Sequence, residues 1–146
     1  MSSSVTGVDH IGIVVRDIDA ALPYYVNHLG FTLVGDETTQ ASGGARLVYL
    51  DAGNILLQLL SPSSTEGPIA EHVAQFGEGL HHICLTVDDI DHSLTLLAPD
   101  SEVAVVVGGR GRRTAFLPQC TNNFTTELTE SRPFQPKSDT HSKSPN

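Results

Sequence analysis

The chain has 146 residues, 39% of them hydrophobic and 17% charged, which at this length is enough to build one packed core. Its formal charge of −9, from 17 acidic and 8 basic residues, argues against a nucleic-acid binder, which needs a basic face to displace counterions from phosphates. No run approaches the ~18 apolar residues of a membrane helix, and the opening MSSSVTG is too short and polar for a secretory leader. The expectation is therefore a soluble, cytoplasmic protein with no membrane partner.

The first element expected is a strand over residues 11–15, short and β-branched as buried strands are. Asp17 follows where a carboxylate can accept the free amide hydrogens of a helix start. The helix is expected over about 18–29, closed by Gly30, with Pro23 early enough that its missing donor costs little. Three strands then read as 31–35, 46–51 and 54–60, the last two joined by a tight turn at Ala52-Gly53. Residues 61–78 form a Ser/Pro/Gly-rich link that holds a short helix over 69–76.

The pattern then repeats. A strand over 83–87 precedes Asp89 as a second helix cap, a helix over 90–97 stops before Pro99, and strands follow over 102–107, 114–117 and 124–129. Gly108, Gly109 and Gly111 mark a loop, and Asn122-Asn123 a turn before the last strand. The tail, 131–146, is rich in Pro, Ser and Lys and is expected to be disordered. Cys84 and Cys120 lack CxxC spacing and are expected to be reduced, a Cys84–Cys120 disulfide being the alternative.

The two halves are copies. Val8 to Leu22 reads VDHIGIVVRDIDAAL and Leu80 to Leu94 reads LHHICLTVDDIDHSL, with seven identities in fifteen gapless positions at an offset of 72. The expected fold class is α+β: two tandem βαβββ modules, about 7–60 and 79–130, forming an open, cupped, mostly antiparallel sheet around a metal site.

The duplication places His10 and His82 at the same point of the two first strands, and side-chain alternation then turns His81 to the other face. Gln58 and Glu127 are a second matched pair, polar residues inside otherwise apolar strands, 48 residues after His10 and 45 after His82. A buried polar group without a partner costs a few kcal/mol, roughly, and a buried carboxylate more. A shared divalent cation offsets that cost in both halves at once, since imidazole, amide oxygen and carboxylate are all good ligands. Taken singly, His10 reads as a hydrogen-bonded structural residue, and Gln58 or Glu127 as edge-strand polar groups; the common register favours the metal set.

VDHIGIVV around His10, LLQLLSP around Gln58, GEGLHHICLTVDDID over 77–91, preceded by Gly67-Pro68-Ile69-Ala70, and TELTE around Glu127 together resemble the vicinal oxygen chelate superfamily, and within it the methylmalonyl-CoA epimerases. The likeness runs over about residues 7–130. It implies a divalent ion (cobalt, nickel, manganese or zinc) on His10, Gln58, His82 and Glu127. It further implies a homodimer that inverts the carbon beside a thioester carbonyl, through α-proton abstraction and a metal-stabilised enolate, on methylmalonyl-CoA or a related acyl substrate. Many such epimerases carry an acid/base glutamate on the third strand, where this chain has Leu47. That departure weakens the substrate assignment. Tyr49, on the same face, is the nearest proton-bearing residue, with a core aromatic as its bland reading; Glu127 is the other candidate, as ligand and base in turn. Arg110, Arg112 and Arg113, the one basic cluster, are expected either to meet coenzyme A phosphates or to be solvated hairpin residues.

Other functions fit the same features. A glyoxalase-type lyase would use the same ligands, and a tailoring enzyme of secondary metabolism would explain Leu47 as an altered pocket. Iron dioxygenases of the superfamily use two histidines and one carboxylate, against which Gln58 counts. From a different class, a metal-free binding or resistance protein would be expected to lack the ligand types present here.

Overall fold

The computed structural model describes residues 4–119 and 124–136. Its eight strands are β1 (Val5–Val14), β2 (Thr32–Thr39), β3 (Ala45–Asp51), β4 (Leu56–Pro62), β5 (Gly79–Val87), β6 (Val106–Val107), β7 (Arg112–Phe116) and β8 (Thr125–Pro133). They form one sheet in the order β2-β3-β4-β1-β5-β8-β7-β6. Each half is a βαβββ module: β1 pairs with β4 in parallel and β5 with β8 in parallel, while every other neighbouring pair is antiparallel. The fold is α+β, and the two modules join edge to edge within one chain, through β1 and β5.

The central register explains why matched residues converge. Ile11 faces Ile83 across β1 and β5, His10 faces Cys84, and Gly12 faces His82. His10 and His82 each precede the central isoleucine of their own strand, so the local two-fold sets them beside each other. Gln58 pairs with Gly12 and Glu127 with Cys84, which are the same position in the two copies.

Three helices complete the modules. α1 (Ile18–Pro23) and α3 (Ile90–Leu97) start alike: Asp17 Oδ1 accepts the amide of Ala20 and Asp89 Oδ1 that of His92, both at 3.2 Å. Pro23 has more effect than expected. It brings no amide hydrogen to the ladder, and the chain continues as a wider turn over Tyr24–His28, with the Leu29 amide donating to the Tyr24 carbonyl. α2 (Pro68–Phe76) spans the link between modules.

Alternation along the strands sorts the core. Val48 and Leu50 of β3 and Leu59 of β4 pack under α1 with Ile18, and Val87, Ala115 and Leu128 pack with Ile90 of α3. Leu47, Tyr49 and Leu60 form a third cluster with Ile69 of α2. Truncating a fully buried residue such as Leu50 would cost about 2–5 kcal/mol.

Several boundaries differ from expectation. β2 continues to Thr39, whereas β6 keeps only two of the six residues expected over 102–107. β6 is an edge strand of the sheet, as β2 is at the other end, with a partner on one side alone. β8 runs to Pro133, into the segment expected as tail, and the Phe134 amide donates to the Gly111 carbonyl. Cys84 is buried and unpaired by any disulfide; Cys120, the Asn122-Asn123 turn and residues 137–146 lie outside the described residues. No helix among the described residues is long and apolar enough to cross a membrane.

Candidate functional site

The concave side of the sheet holds a partly open cavity. His10, Gln58, His82 and Glu127 all line it. His10 Nε2 lies 3.0 Å from His82 Nε2 and 3.8 Å from Glu127 Oε1. One ligand atom from each of His10, His82 and Glu127 falls within 4.8 Å of the others. The structure therefore brings the four expected residues to one place.

The donors fit a divalent cation. Gln58 gives its amide N–H to the Tyr49 hydroxyl at 3.0 Å, which leaves its buried Oε1 without any hydrogen-bond partner. Two imidazole Nε2 atoms and a carboxylate line the same cavity, more lone pairs than one shared proton can satisfy. A cation resolves that excess, and this mix of nitrogen and oxygen donors suits a borderline ion such as zinc, cobalt, nickel or manganese.

Neighbouring groups hold the histidines in ligand form. Asp9 lies 2.6 Å from His10 Nδ1, so a proton there leaves Nε2 free as a donor to metal. Burial alone would raise the Asp9 carboxyl, but hydrogen bonds from His10 and Arg110 hold it well below the usual carboxylate range. His82 is kept neutral: burial foremost, then His10 and His81, lowers its imidazole well below 6.5. Burial also raises the Glu127 carboxyl above its ordinary value, opposed in part by His10.

His81 does not turn away, as alternation led us to expect. Gly12 pairs with His82 but Ile13 with Leu80, so His81 is an extra residue in β5, a bulge that breaks the two-residue period. Its ring lines the cavity, with Nδ1 at 2.8 Å from His82 Nδ1. Burial, then His72 of α2, lowers its imidazole to about 4.

Leu47 and Tyr49 face the cavity, both almost fully buried. Burial pushes the Tyr49 hydroxyl up to about 12. Of the three arginines, only Arg110 lines this cavity. None is left solvated without a counter-charge: Arg110 and Arg112 both pair with Asp9, and Arg113 with Asp91 and Glu130. Arg110 also lies over the Tyr49 ring at 4.7 Å.

Sequence reasoning missed Asp9, Glu37 and Thr114. Asp9 could have been found from its place beside His10. Glu37 accepts the Arg110 amide at 2.5 Å across 73 positions of sequence, a contact no local pattern carries. Gly109 is fixed by the same crowding, because a Cβ there would lie 2.2 Å from the Tyr49 hydroxyl and 3.0 Å from Glu37 Oε1.

The profile of the Glyoxalase/Bleomycin resistance protein/Dioxygenase superfamily matches residues 7–114. The chain belongs to that superfamily. An uncharacterised protein of Bacillus subtilis (strain 168), YqjC, is 31% identical over 93% of this chain and 96% of its own length. The crystal structure of methylmalonyl-CoA epimerase from Mycobacterium tuberculosis superposes with a TM-score of 0.82 at 29% identity, covering 91% of this chain and 93% of that one. A methylmalonyl-CoA epimerase in complex with methylmalonyl-CoA and NH4+ superposes at 0.76 with 31% identity, over 88% of this chain and 96% of its own. Within the superfamily this chain is epimerase-like.

Proposed function

We propose that the protein is a metal-dependent epimerase that inverts the carbon next to a thioester carbonyl, with methylmalonyl-CoA or a related acyl-CoA as substrate. The observation that carries the reading is the unpartnered Gln58 Oε1 lining the same cavity as two facing imidazoles and a carboxylate. His10, Gln58, His82 and Glu127 would hold the ion, which when bound supplies a positive charge that polarises the thioester carbonyl.

The chain's own residues supply the proton traffic. Inversion needs one group to take the α-proton and another to return one from the opposite side. Glu127 stands on β8 of the second module and Tyr49 on β3 of the first, so they approach the cavity from opposite halves of the sheet. Glu127 is the candidate base, as ligand and base in turn; Tyr49, its hydroxyl pushed up to about 12 by burial, stays protonated as the donor. Leu47, Leu60 and Ile69 on the same wall keep water from the reacting carbon.

The test is α-hydrogen exchange of methylmalonyl-CoA in deuterium oxide, read by mass spectrometry. Exchange is expected with added cobalt, nickel, manganese or zinc, lost on chelation and lost in Glu127→Gln. A folded protein that catalyses no exchange with any of the four metals would refute the assignment.

A further inference from the structure

We propose that Arg110, on a turn of the second module, is a positioning residue that holds both ion ligands of the first module, His10 through Asp9 and Gln58 through Tyr49. The inference rests on the ion site proposed above and names what sets its geometry.

Each ligand of the first module leans on one neighbour. His10 Nδ1 meets Asp9 Oδ2 at 2.6 Å, and Gln58 Nε2 donates to the Tyr49 hydroxyl at 3.0 Å. Those contacts decide which end of each side chain is left for an ion: Nε2 of the imidazole and Oε1 of the amide. An amide without such an anchor is free to turn its NH2 group toward the ion, where it repels rather than ligates.

Asp9 and Tyr49 stand on different strands, β1 and β3, and Arg110 reaches both. Its Nη2 binds the same Asp9 oxygen that meets His10, and its Nη1 lies 3.4 Å from the other. Nη2 is also 3.5 Å from His10 Nδ1, on the Asp9 side of the imidazole. The guanidinium carbon sits 4.7 Å from the centre of the Tyr49 ring. Burial does most to raise the Tyr49 hydroxyl, and the Arg110 charge is the strongest influence opposing it, as so close a contact requires. Only a planar, forked cation serves a carboxylate and an aromatic face together.

Arg110 is itself fixed by the first module. Its backbone is left-handed (φ 58, ψ 19), alone among the described non-glycine residues in having a positive φ. Such a conformation persists only where the surroundings impose it. Here Glu37 of β2 accepts the Arg110 amide at 2.5 Å. Arg112 supplies the internal comparison. Its Nη1 meets Asp9 at 3.0 Å, but on the oxygen that does not face His10, and it does not line the cavity.

Cobalt titration of the metal-free protein in competition with a chelator tests the proposal. Arg110→Met should lower cobalt affinity about ten- to a hundredfold and shift the visible bands of the bound ion, whereas Arg112→Met should cost less than about threefold and leave the bands in place. Tyr49→Phe should also weaken binding. Adding Arg110→Met to it should then cost at least about threefold less than in the wild type, because part of the effect passes through the hydroxyl. Affinity within about twofold of wild type in Arg110→Met, equal losses in the two arginine variants, or losses with Tyr49→Phe that simply multiply would overturn the positioning role. If Arg110→Met does not fold by circular dichroism, Arg110→Lys decides in its place. One ammonium meets Asp9 but lacks the plane and the second nitrogen, so a loss of at least about fivefold is expected and an unchanged affinity would be fatal. Normal cobalt binding by the variants leaves the epimerase reading standing, and the coupled losses without any deuterium exchange keep the positioning role and remove the epimerase.

Discussion

His81 and His82 are sequence neighbours whose Nδ1 atoms meet at 2.8 Å, an arrangement that regular strand alternation forbids and a bulge in β5 permits. One of the two nitrogens must donate and the other accept. With His81 donating from Nδ1, the His82 Nδ1 lone pair is taken and its proton is driven to Nε2; with His82 donating, Nε2 faces the ion. The second tautomer is the one that ligates. His81→Leu removes the acceptor that selects it, and metal affinity should fall by about ten- to a hundredfold. Competition titration against a chromogenic chelator reads this directly, and an unchanged affinity would show that His81 does not set the tautomer.

Gly12 is a second fixed point. A Cβ there would lie 2.2 Å from His82 Cε1, so Gly12→Ala must displace the ring. The expected result is loss of metal stoichiometry, with destabilisation of about 1–3 kcal/mol from overpacking. Elemental analysis and a urea melt check the two effects separately; full metal retention would place the His82 ring outside the coordinating set.

Much of this site is legible in the sequence because the chain is duplicated. The 72-residue offset pairs His10 with His82, and Asp17 and Asp89 cap their helices at the same distance. Gln58 and Glu127 stand out as polar residues within apolar runs, and their strands follow from local composition. What stays hidden depends on irregularity or on long range. The bulge that turns His81 inward inserts one residue against β1, and no feature of LHHIC alone reveals it. The partners of Arg110 lie 101 residues away at Asp9 and 73 away at Glu37, because the sheet curls until β2 meets the Gly109–Gly111 turn. Likewise residues 102–105, β-rich by composition, stay out of the ladder at the sheet edge.

Buried neutral imidazoles make the metal-free protein acid-sensitive. His82 is held well below 6.5 and His81 at about 4, so both stay unprotonated in the folded chain where the unfolded chain binds protons. The unfolded state then gains protons as pH falls below 6.5, and stability drops with it. Glu127, whose carboxyl is raised, works the other way by taking up a proton when folded. Between pH 6 and 4.5 the net slope should be about one to two protons, or roughly 1.4–2.7 kcal/mol per pH unit. Urea melts in EDTA measure it, and His81→Phe should lower the slope by about one proton. A flat profile would mean that these rings are protonated in the fold.

Leu47 offers the sharpest test of the catalytic arrangement. It is 6% exposed on the cavity wall, one strand position pair from Tyr49 and opposite Glu37 in the β2–β3 register. Leu47→Glu would add a carboxylate at the position where the family resemblance implies an acid/base glutamate, within a wall that also holds Arg110. Burying that charge should cost about 2–3 kcal/mol of stability, reduced by any pairing with the guanidinium. A positioned base is worth about 10²–10⁴ in rate, so even imperfect placement should raise deuterium exchange at least about tenfold. Exchange rate and thermal midpoint need to be read together, because the two effects have opposite signs. A folded, metal-loaded Leu47→Glu protein with no gain in exchange would mean that position 47 does not reach the reacting carbon, and the proton would then have to pass through Glu127 and Tyr49 alone.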